Sequence, residues 1–565
     1  MNQMKEVSSG EMLSLCKRRG FIYPAYEIYG GIAGLYDYGP LGTALKGNIA
    51  DLWRRIYALQ EGFVEIDGDS VGPEAVFKAS GHVDNFADLS VTCKECGESF
   101  RADHLAKGLH PNPDSLSAED LQRLLRDNGV KCPCGGEFAD VEEFNLMFKT
   151  RIGPGGGRTG YLRPETAQSI FVNYVNLYRH CRERLPFGCI QVGRGYRNEI
   201  SPRQGVIRLR EFNMMEAELF VDPEDKTWPR YMDVRDRKVR LVPNTDEKEV
   251  EMTLGEAVDS GIIGNETLGY FIWVTYDFLT SAGIDPQRLR FRQHLKTEMA
   301  HYAADCWDAE TLISFGWTEI VGIADRGCWD LSQHIKHSKA DLTAFKRFDE
   351  PRDVERDAVK PKFGALGPRF KGAAGDIKKQ LESMDASAVH DGLVTVTVNG
   401  EPVDLDTAYY EVVRVKEKVN GVRVVPHVIE PSHGLDRILY SCLEHAYTEK
   451  EDGYVTLRLK PAVAPIKVGV FPLMAKDGMA EVAKALDMAL REEGIVTYYD
   501  DSGSIGRRYA RMDEAGTPWC VTVDYDTLEK GDVTVRERDT AEQKRISADD
   551  VVTWVRDRLR RKLSY

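Results

Sequence analysis

Residues 193–218, GRGYRNEISPRQGVIRLREFNMMEAE, place five arginines and four glutamates in a strand, loop and strand pattern. RGYRNE alternates as a buried strand does, SPRQG supplies turn residues, and REFNMMEAE resumes with Phe212 flanked by charge. Such a hairpin suits a bound polyanion; the alternative is an exposed hairpin with solvated ion pairs.

The chain around it has 565 residues, more than one core keeps growing to, so two or three domains are expected. Hydrophobic and charged fractions of 42% and 29% are ordinary for globular protein. No apolar run approaches the ~20 residues of a membrane span. The opening MNQMKEVSSGEMLSLCKRRG lacks the apolar core of a signal peptide. Eleven cysteines, several isolated in apolar stretches, fit a reducing compartment, so a cytoplasmic location and no membrane partner are expected. A net charge of −15 excludes a general nucleic-acid coat, since non-specific binding runs on phosphate neutralisation. Local basic surface remains open at Arg507, Arg508 and Arg511 and from Arg556 to Lys562, within a C-terminal stretch that carries 17 Lys and Arg against 19 Asp and Glu. A charged helical face with no partner would read the same way.

Residues 1–90 read as a helix, a Gly-rich turn (GGIAGLYDYGPLG), a long amphipathic helix (LKGNIADLWRRIYALQEGF) and a strand, FVEIDGDSV. In the insertion 91–140, CKECG and KCPCGG set Cys93, Cys96, Cys132 and Cys134 on two Gly-containing knuckles. Each knuckle can offer two sulfurs to a structural Zn²⁺ at about 2.3 Å. The second knuckle is one residue short of Cys-x-x-Cys, so a metal-free remnant is the other reading. A catalytic core over 141–338 and 426–460 flanks a second insertion, 339–425. The run YYEVVRVKEKVNGVRVVPHVIEPS reads as antiparallel strands joined at Asn420-Gly421. Antiparallel strands with flanking helices make the core α+β. Residues 461–565 alternate strand and helix as a small, mostly parallel α/β domain. No G-x-G-x-x-G or P-loop opens a helix after a strand.

Three segments in order carry a resemblance. RNEISPRQG followed by REF resembles motif 2 of class II aminoacyl-tRNA synthetases in the wording of the dimeric glycyl type; EPSHGLDRILY (430–440) resembles motif 3, and LRPETAQSIF (162–171) that family's amino-acid segment. The 1–90 helix and strand are similar to motif 1, the dimer interface, and 461–565 is placed like an anticodon-binding domain. The resemblance implies an enzyme that attaches glycine to tRNA(Gly) through a glycyl adenylate, acting as a homodimer on ATP with Mg²⁺, with Zn²⁺ possible. Rivals are a class II enzyme for serine, threonine or proline, and a non-catalytic tRNA-binding paralogue.

Carried onto this chain, the resemblance makes Arg197 the α-phosphate arginine and Arg437 the γ-phosphate arginine, with Glu199 beside the adenine or the amino group and Phe212 stacked on adenine. Guanidinium suits phosphate because it is planar, always charged and bidentate. The implied ATP surface adds Asn198, Ile207, Arg208, Leu209, Arg210, Glu211, Ile320, Gly434, Leu435 and Asp436, with Glu319 on the Mg²⁺ side. The implied glycine pocket takes Glu165, Glu216 and Glu430 with Ser432, and Arg101 at the carboxylate. Phe212, Asn213, Met214, Met215, Pro431, His433 and Gly434 complete it. Any one of those glutamates could instead serve only as an arginine's partner.

Overall fold

Long runs of alternating apolar and polar residues build the central sheet. The computed structural model describes residues 8–155, 157–202, 205–296, 303–384, 386–451 and 453–560. Its nine-stranded sheet is formed, in chain order, by β1 (Val64–Glu65), β2 (Phe187–Tyr196), β3 (Glu211–Val221), β4 (Lys238–Val242), β5 (Val250–Thr253), β6 (Leu289–Gln293), β7 (Asp305–Ile313), β8 (Gly316–Gly327) and β9 (His427–Gly434). The order across the sheet is β5-β4-β6-β7-β8-β9-β3-β2-β1, antiparallel except for β1 with β2 and β4 with β6. This is the expected α+β core.

The two-residue period sorts β3 into two faces. Met215, Ala217, Leu219 and Val221 enter the main core, under α1 (Pro40–Arg54), α2 (Glu266–Ala282) and α3 (Leu435–Ala446). Each large apolar side chain buried there contributes roughly 1.5–3 kcal/mol. Glu216 and Glu218 therefore project from the other face. Helix α1 starts with Pro40 at its first position, where a missing N–H costs nothing, and buries Leu45, Ile49, Leu52 and Trp53. It continues as a π-helical turn, Arg55–Gln60, which buries Ile56 and Tyr57. FVEIDGDSV is not one strand: β1 ends at Glu65, and Val71–Pro73 joins a separate three-stranded sheet. Between them Arg163 takes the carbonyls of Gly68 and Asp69, at 2.7 and 3.3 Å, which strand partners would otherwise hold.

The chain divides into two compact units, Met1–Leu342 with Val425–Tyr565, and Thr343–Val424. In the second, strands Ala344–Pro361 and Tyr410–Val424 pair in two runs broken between Arg347 and Arg352, and helices Phe363–Phe370 and Ala374–Glu382 close a small core with Leu366, Ile377, Leu381 and Val396. The expected turn at Asn420-Gly421 is absent: neither residue takes a positive φ, and the strand runs straight through. Gly421 meets a different need, since a Cβ there would lie 2.3 Å from the Lys346 carbonyl and 2.6 Å from the Phe345 ring.

The C-terminal sheet is mixed rather than mostly parallel. Thr497–Tyr499, Val468–Pro472 and Trp519–Val523 are parallel neighbours, and Asp532–Glu537 and Gln543–Ser547 add antiparallel. Among the bonds that tie this region to the preceding chain are Arg19 Nε to Glu514 at 2.5 Å, Asn48 Nδ2 to the Ala464 carbonyl at 2.9 Å, and Tyr454 OH to Asp513 at 2.7 Å. Its sequence-level basic cluster is largely consumed inside the fold. Arg508 is 3% exposed and donates to the carbonyls of Pro472, Asp501 and Gly503, and Arg511 pairs with Asp500 at 2.6 Å, which leaves Arg507 exposed. Of the second cluster, Arg556 pairs with Glu493 at 3.3 Å; Arg561 and Lys562 lie outside the described residues.

Candidate active site

Strands β2 and β3 pair from Phe187 with Phe220 to Tyr196 with Glu211, and the arginine-rich loop between them closes on itself through Arg197 N to the Arg210 carbonyl at 2.9 Å. A groove of about 160 Å³ opens there. It collects most of the expected nucleotide residues: Arg197, Glu199, Ile207, Arg208, Leu209, Phe212, Glu319, Ile320, Gly434, Asp436 and Arg437, with Asn213, Met214 and Ser432 continuing the wall. Val206, not expected, also lines it.

The loop holds its cations with backbone. Arg437 donates from Nε to the Ile207 carbonyl at 3.1 Å and from Nη1 to the Glu319 carbonyl at 2.8 Å and carboxylate at 3.1 Å. Glu199 accepts from Arg208 Nε at 2.7 Å. The Arg197 guanidinium lies 5.2 Å from the Phe212 ring centre and 5.3 Å from that of Phe86. Phe212 can lie flat because its neighbour across the sheet is Gly195, where a Cβ would come within 2.6 Å of the ring. Asp436, 2% exposed, fixes the adjacent residue: it accepts from Asn213 N at 2.5 Å, from Asn213 Nδ2 at 2.8 Å and from Tyr38 OH. Four expected nucleotide residues are occupied elsewhere. Arg210 donates to the carbonyls of Ala33 and Glu199, Glu211 pairs with Arg194, Asn198 N donates to the Leu146 carbonyl, and Leu435 is in the core.

Beside the groove is a buried acid cluster. Glu216 accepts from Thr166 N at 2.6 Å, from the Thr166 hydroxyl and from Ser432 Oγ at 2.8 Å. Glu430 receives Arg326 Nη1 at 2.7 Å, and Arg326 also forks onto Asp330 at 2.8 and 3.1 Å. Glu165 accepts from Gln168 at 2.8 Å, with His82 at 3.6 Å and Arg326 at 3.9 Å. Burial raises the Glu430 carboxyl to about 7, against the pull of Arg326. Burial and the Glu165 charge also raise Glu216. Burial opposes ionisation of Glu165 too, but His82, Arg326 and Gln168 outweigh it and hold that group well below the usual carboxylate range. The site thus has one firmly ionised acid and two that ionise reluctantly, which suits a small cation arriving to neutralise them.

Met215 and His433 project from the opposite face of the sheet. Met215 is fully buried in the core, and the His433 ring is boxed edge-on by Trp53, Tyr57 and Phe278 at 5.4–5.7 Å. Only their backbone is left for the pocket. Arg101 stands apart, in ion pairs with Asp88 at 2.9 Å and Asp103 at 2.8 Å, and Asp88 in turn lies 3.8 Å from Arg208 of the groove. Arg326, Asp330, Thr166 and Gln168 were not singled out from sequence.

In the insertion before β2, Cys93 and Cys134 sulfurs are 3.6 Å apart, as are those of Cys96 and Cys132, and all four lie within 4.8 Å of one another. A tetrahedron of 2.3 Å metal–sulfur bonds has edges of about 3.8 Å, so the thiols fit Zn²⁺. The shortened Cys132–Cys134 spacing does not prevent convergence.

Two family descriptions match the chain: "tRNA synthetase class II core domain (G, H, P, S and T)" over residues 151–239 and "Anticodon binding domain" over 467–558. Among solved structures, prolyl-tRNA synthetase from Giardia lamblia in complex with prolyl-adenylate superposes with a TM-score of 0.52 at 15% identity, covering 97% of this chain and 78% of that one, a likeness of fold. Curated relatives are far nearer in sequence. The glycine–tRNA ligase of Methanothrix thermoacetophila is 52% identical over 97% of this chain and 96% of its own length. That of Methanocaldococcus jannaschii is 49% identical over 97% and 99%. With identity of this order running end to end through both the synthetase core and the anticodon-binding region, the chain belongs to the glycine–tRNA ligase family.

Proposed function

We propose that the protein condenses glycine with ATP to glycyl adenylate and pyrophosphate, then transfers the glycyl group to the 3′ end of tRNA(Gly). The observation that carries this reading is the adjacency of two unlike sites on one sheet: an arginine-lined groove and a buried cluster of glutamates.

In the first step a glycine carboxylate oxygen attacks the α-phosphorus of ATP, and the new O–P bond replaces the bond to pyrophosphate. Charge builds on phosphate oxygens, so fixed cations and placement supply the catalysis. Arg197 serves the α-phosphate and is itself held between two rings. Arg437 serves the terminal phosphate, pinned by the Ile207 and Glu319 carbonyls. Phe212 offers its face to adenine. Glu216 and Ser432 receive the glycine ammonium, with Glu165 and Glu430 behind them. A larger side chain would have to displace hydrogen-bonded acids, and this is the basis for exclusion. Arg101 is engaged by Asp88 and Asp103, and a part at the glycine carboxylate would require it to leave them.

Glu319, half exposed on the groove wall, is the carboxylate that would hold Mg²⁺ accompanying ATP. Bound there, the ion neutralises phosphate charge. Cys93, Cys96, Cys132 and Cys134 would hold a structural Zn²⁺ that ties two turns of the insertion together. A homodimer is the proposed assembly, and an exposed apolar stretch supports it: Tyr26, Ile28, Tyr29 and Ile32 are 60, 91, 85 and 50% exposed. Among the described residues no helix is long and apolar enough to cross a membrane, and the described cysteines are free thiols, which supports a cytoplasmic location.

The test is ATP–pyrophosphate exchange with each amino acid, followed by charging of tRNA(Gly). Glycine should exceed alanine and serine by at least roughly 100-fold. Exchange with none of them would leave a tRNA-binding protein without synthetase activity.

A further inference from the structure

Glu218 is part of the glycine side of the sheet, yet it has no role in the account above. It is 0% exposed, and among the described residues neither of its carboxyl oxygens has a hydrogen-bond partner. It shares a face with Glu216, two residues away on β3. The register pairs Glu216 with Ser432 and Leu219 with Ile429, so Glu218 falls opposite Glu430 on β9. On its other side it is opposite Cys189 of β2.

The charges around it do not balance. Glu430, Glu216 and Asp330 all face this space, and Arg326 on β8 is the cation among them. Arg326 is already committed to Asp330 by two bonds and to Glu430 by one. The Cys189 thiol, pushed up by burial and by Glu218, adds no positive charge. A dry, unpaired carboxylate is too costly to persist, so the group keeps its proton. Burial and the facing Glu430 accordingly raise Glu218 well above the usual carboxylate range.

We infer that Glu218, buried without a partner opposite Glu430, carries a proton in the free protein, and that the ammonium group of glycine displaces this proton to solvent when it binds. Glu218 is a positioning residue: it does not touch glycine but carries the charge that the bound ammonium calls out. The inference rests on the glycine-binding reading of this pocket.

Proton release makes glycine bind more tightly as pH rises while Glu218 still holds its proton. In wild-type ATP–pyrophosphate exchange, KM for glycine should fall by on the order of fivefold to tenfold per unit between about pH 6 and 8, with KM for ATP flat. Glu218→Gln keeps the shape but cannot ionise. It should raise KM for glycine at pH 8 by on the order of 25- to 100-fold, abolish the pH slope and leave kcat within about twofold. Glu218→Asp should retain the slope, which a packing role alone would not produce. If Glu218→Gln fails to fold, calorimetry of glycine binding to the wild-type protein in two buffers of different ionisation enthalpy decides the matter. Close to one proton released per glycine supports the inference, and none released overturns it. A glycine KM that is flat with pH, or a Glu218→Gln variant with the wild-type slope, also overturns the inference while leaving glycine activation intact. No glycine-driven exchange at any pH would instead defeat the reading on which it rests.

Discussion

The two halves of the site meet along β3 and β9 but are built on opposite principles. On the groove side the working cations are partly wet: the side chains of Arg437 and Arg208 are 34% and 24% exposed and are steered by carbonyls and a carboxylate. On the other side Glu216 and Glu430 are 1% and 7% exposed and are held by hydroxyls and one shared arginine. A large hydrated polyanion needs an open channel with preorganised cations. A ligand with no side chain must be recognised by charge alone, and charge reads best where water is excluded.

This contrast predicts separable defects. Arg437→Ala and Arg197→Ala should each lower exchange by on the order of 100-fold or more, about 3 kcal/mol of transition-state stabilisation, with thermal unfolding nearly unchanged. Near-wild-type exchange would misplace the ATP site. Glu216→Gln should come next, raising KM for glycine by roughly 10- to 100-fold while KM for ATP stays within about twofold. Equal effects on both constants would mean that the halves are one site. Asp436→Asn should straddle them, because Asp436 lines the groove and also clamps Asn213 on β3. Both constants should change by about fivefold. The smallest effect on exchange, within about threefold, is expected for Cys93→Ser, since none of the four cysteines lines the groove or bonds to the buried glutamates. Metal analysis should find about one zinc per wild-type chain and less in this variant. A zinc-free wild type would reduce the knuckles to turns.

Much of this was legible in the chain because local chemistry and long-range structure agree. Turn residues at 201–205 sit between two long alternating runs, and those runs became β2 and β3. Where they disagree, local reading failed. Asn420-Gly421 has the composition of a hairpin turn, yet the pairs of Val419 with Arg352 and Gly421 with Arg347 on either side of Asn420 keep the strand going. Arg508 reads as surface charge, but three carbonyls around it bury the guanidinium. The period of two that separates Glu216 from Met215 also puts Glu218 on the acid face and turns His433 away from Ser432, so that signal was present and unused. Arg326 gave no local signal; only the fold brings it to Glu430 and Asp330.

The central claim is that one sheet joins a nucleotide groove to a pocket that accepts glycine alone. ATP–pyrophosphate exchange measured with glycine, alanine and serine on the same preparation tests it most directly. The account predicts exchange with glycine and at least roughly 100-fold less kcat/KM with the other two. Serine or alanine driving exchange as well as glycine would contradict it.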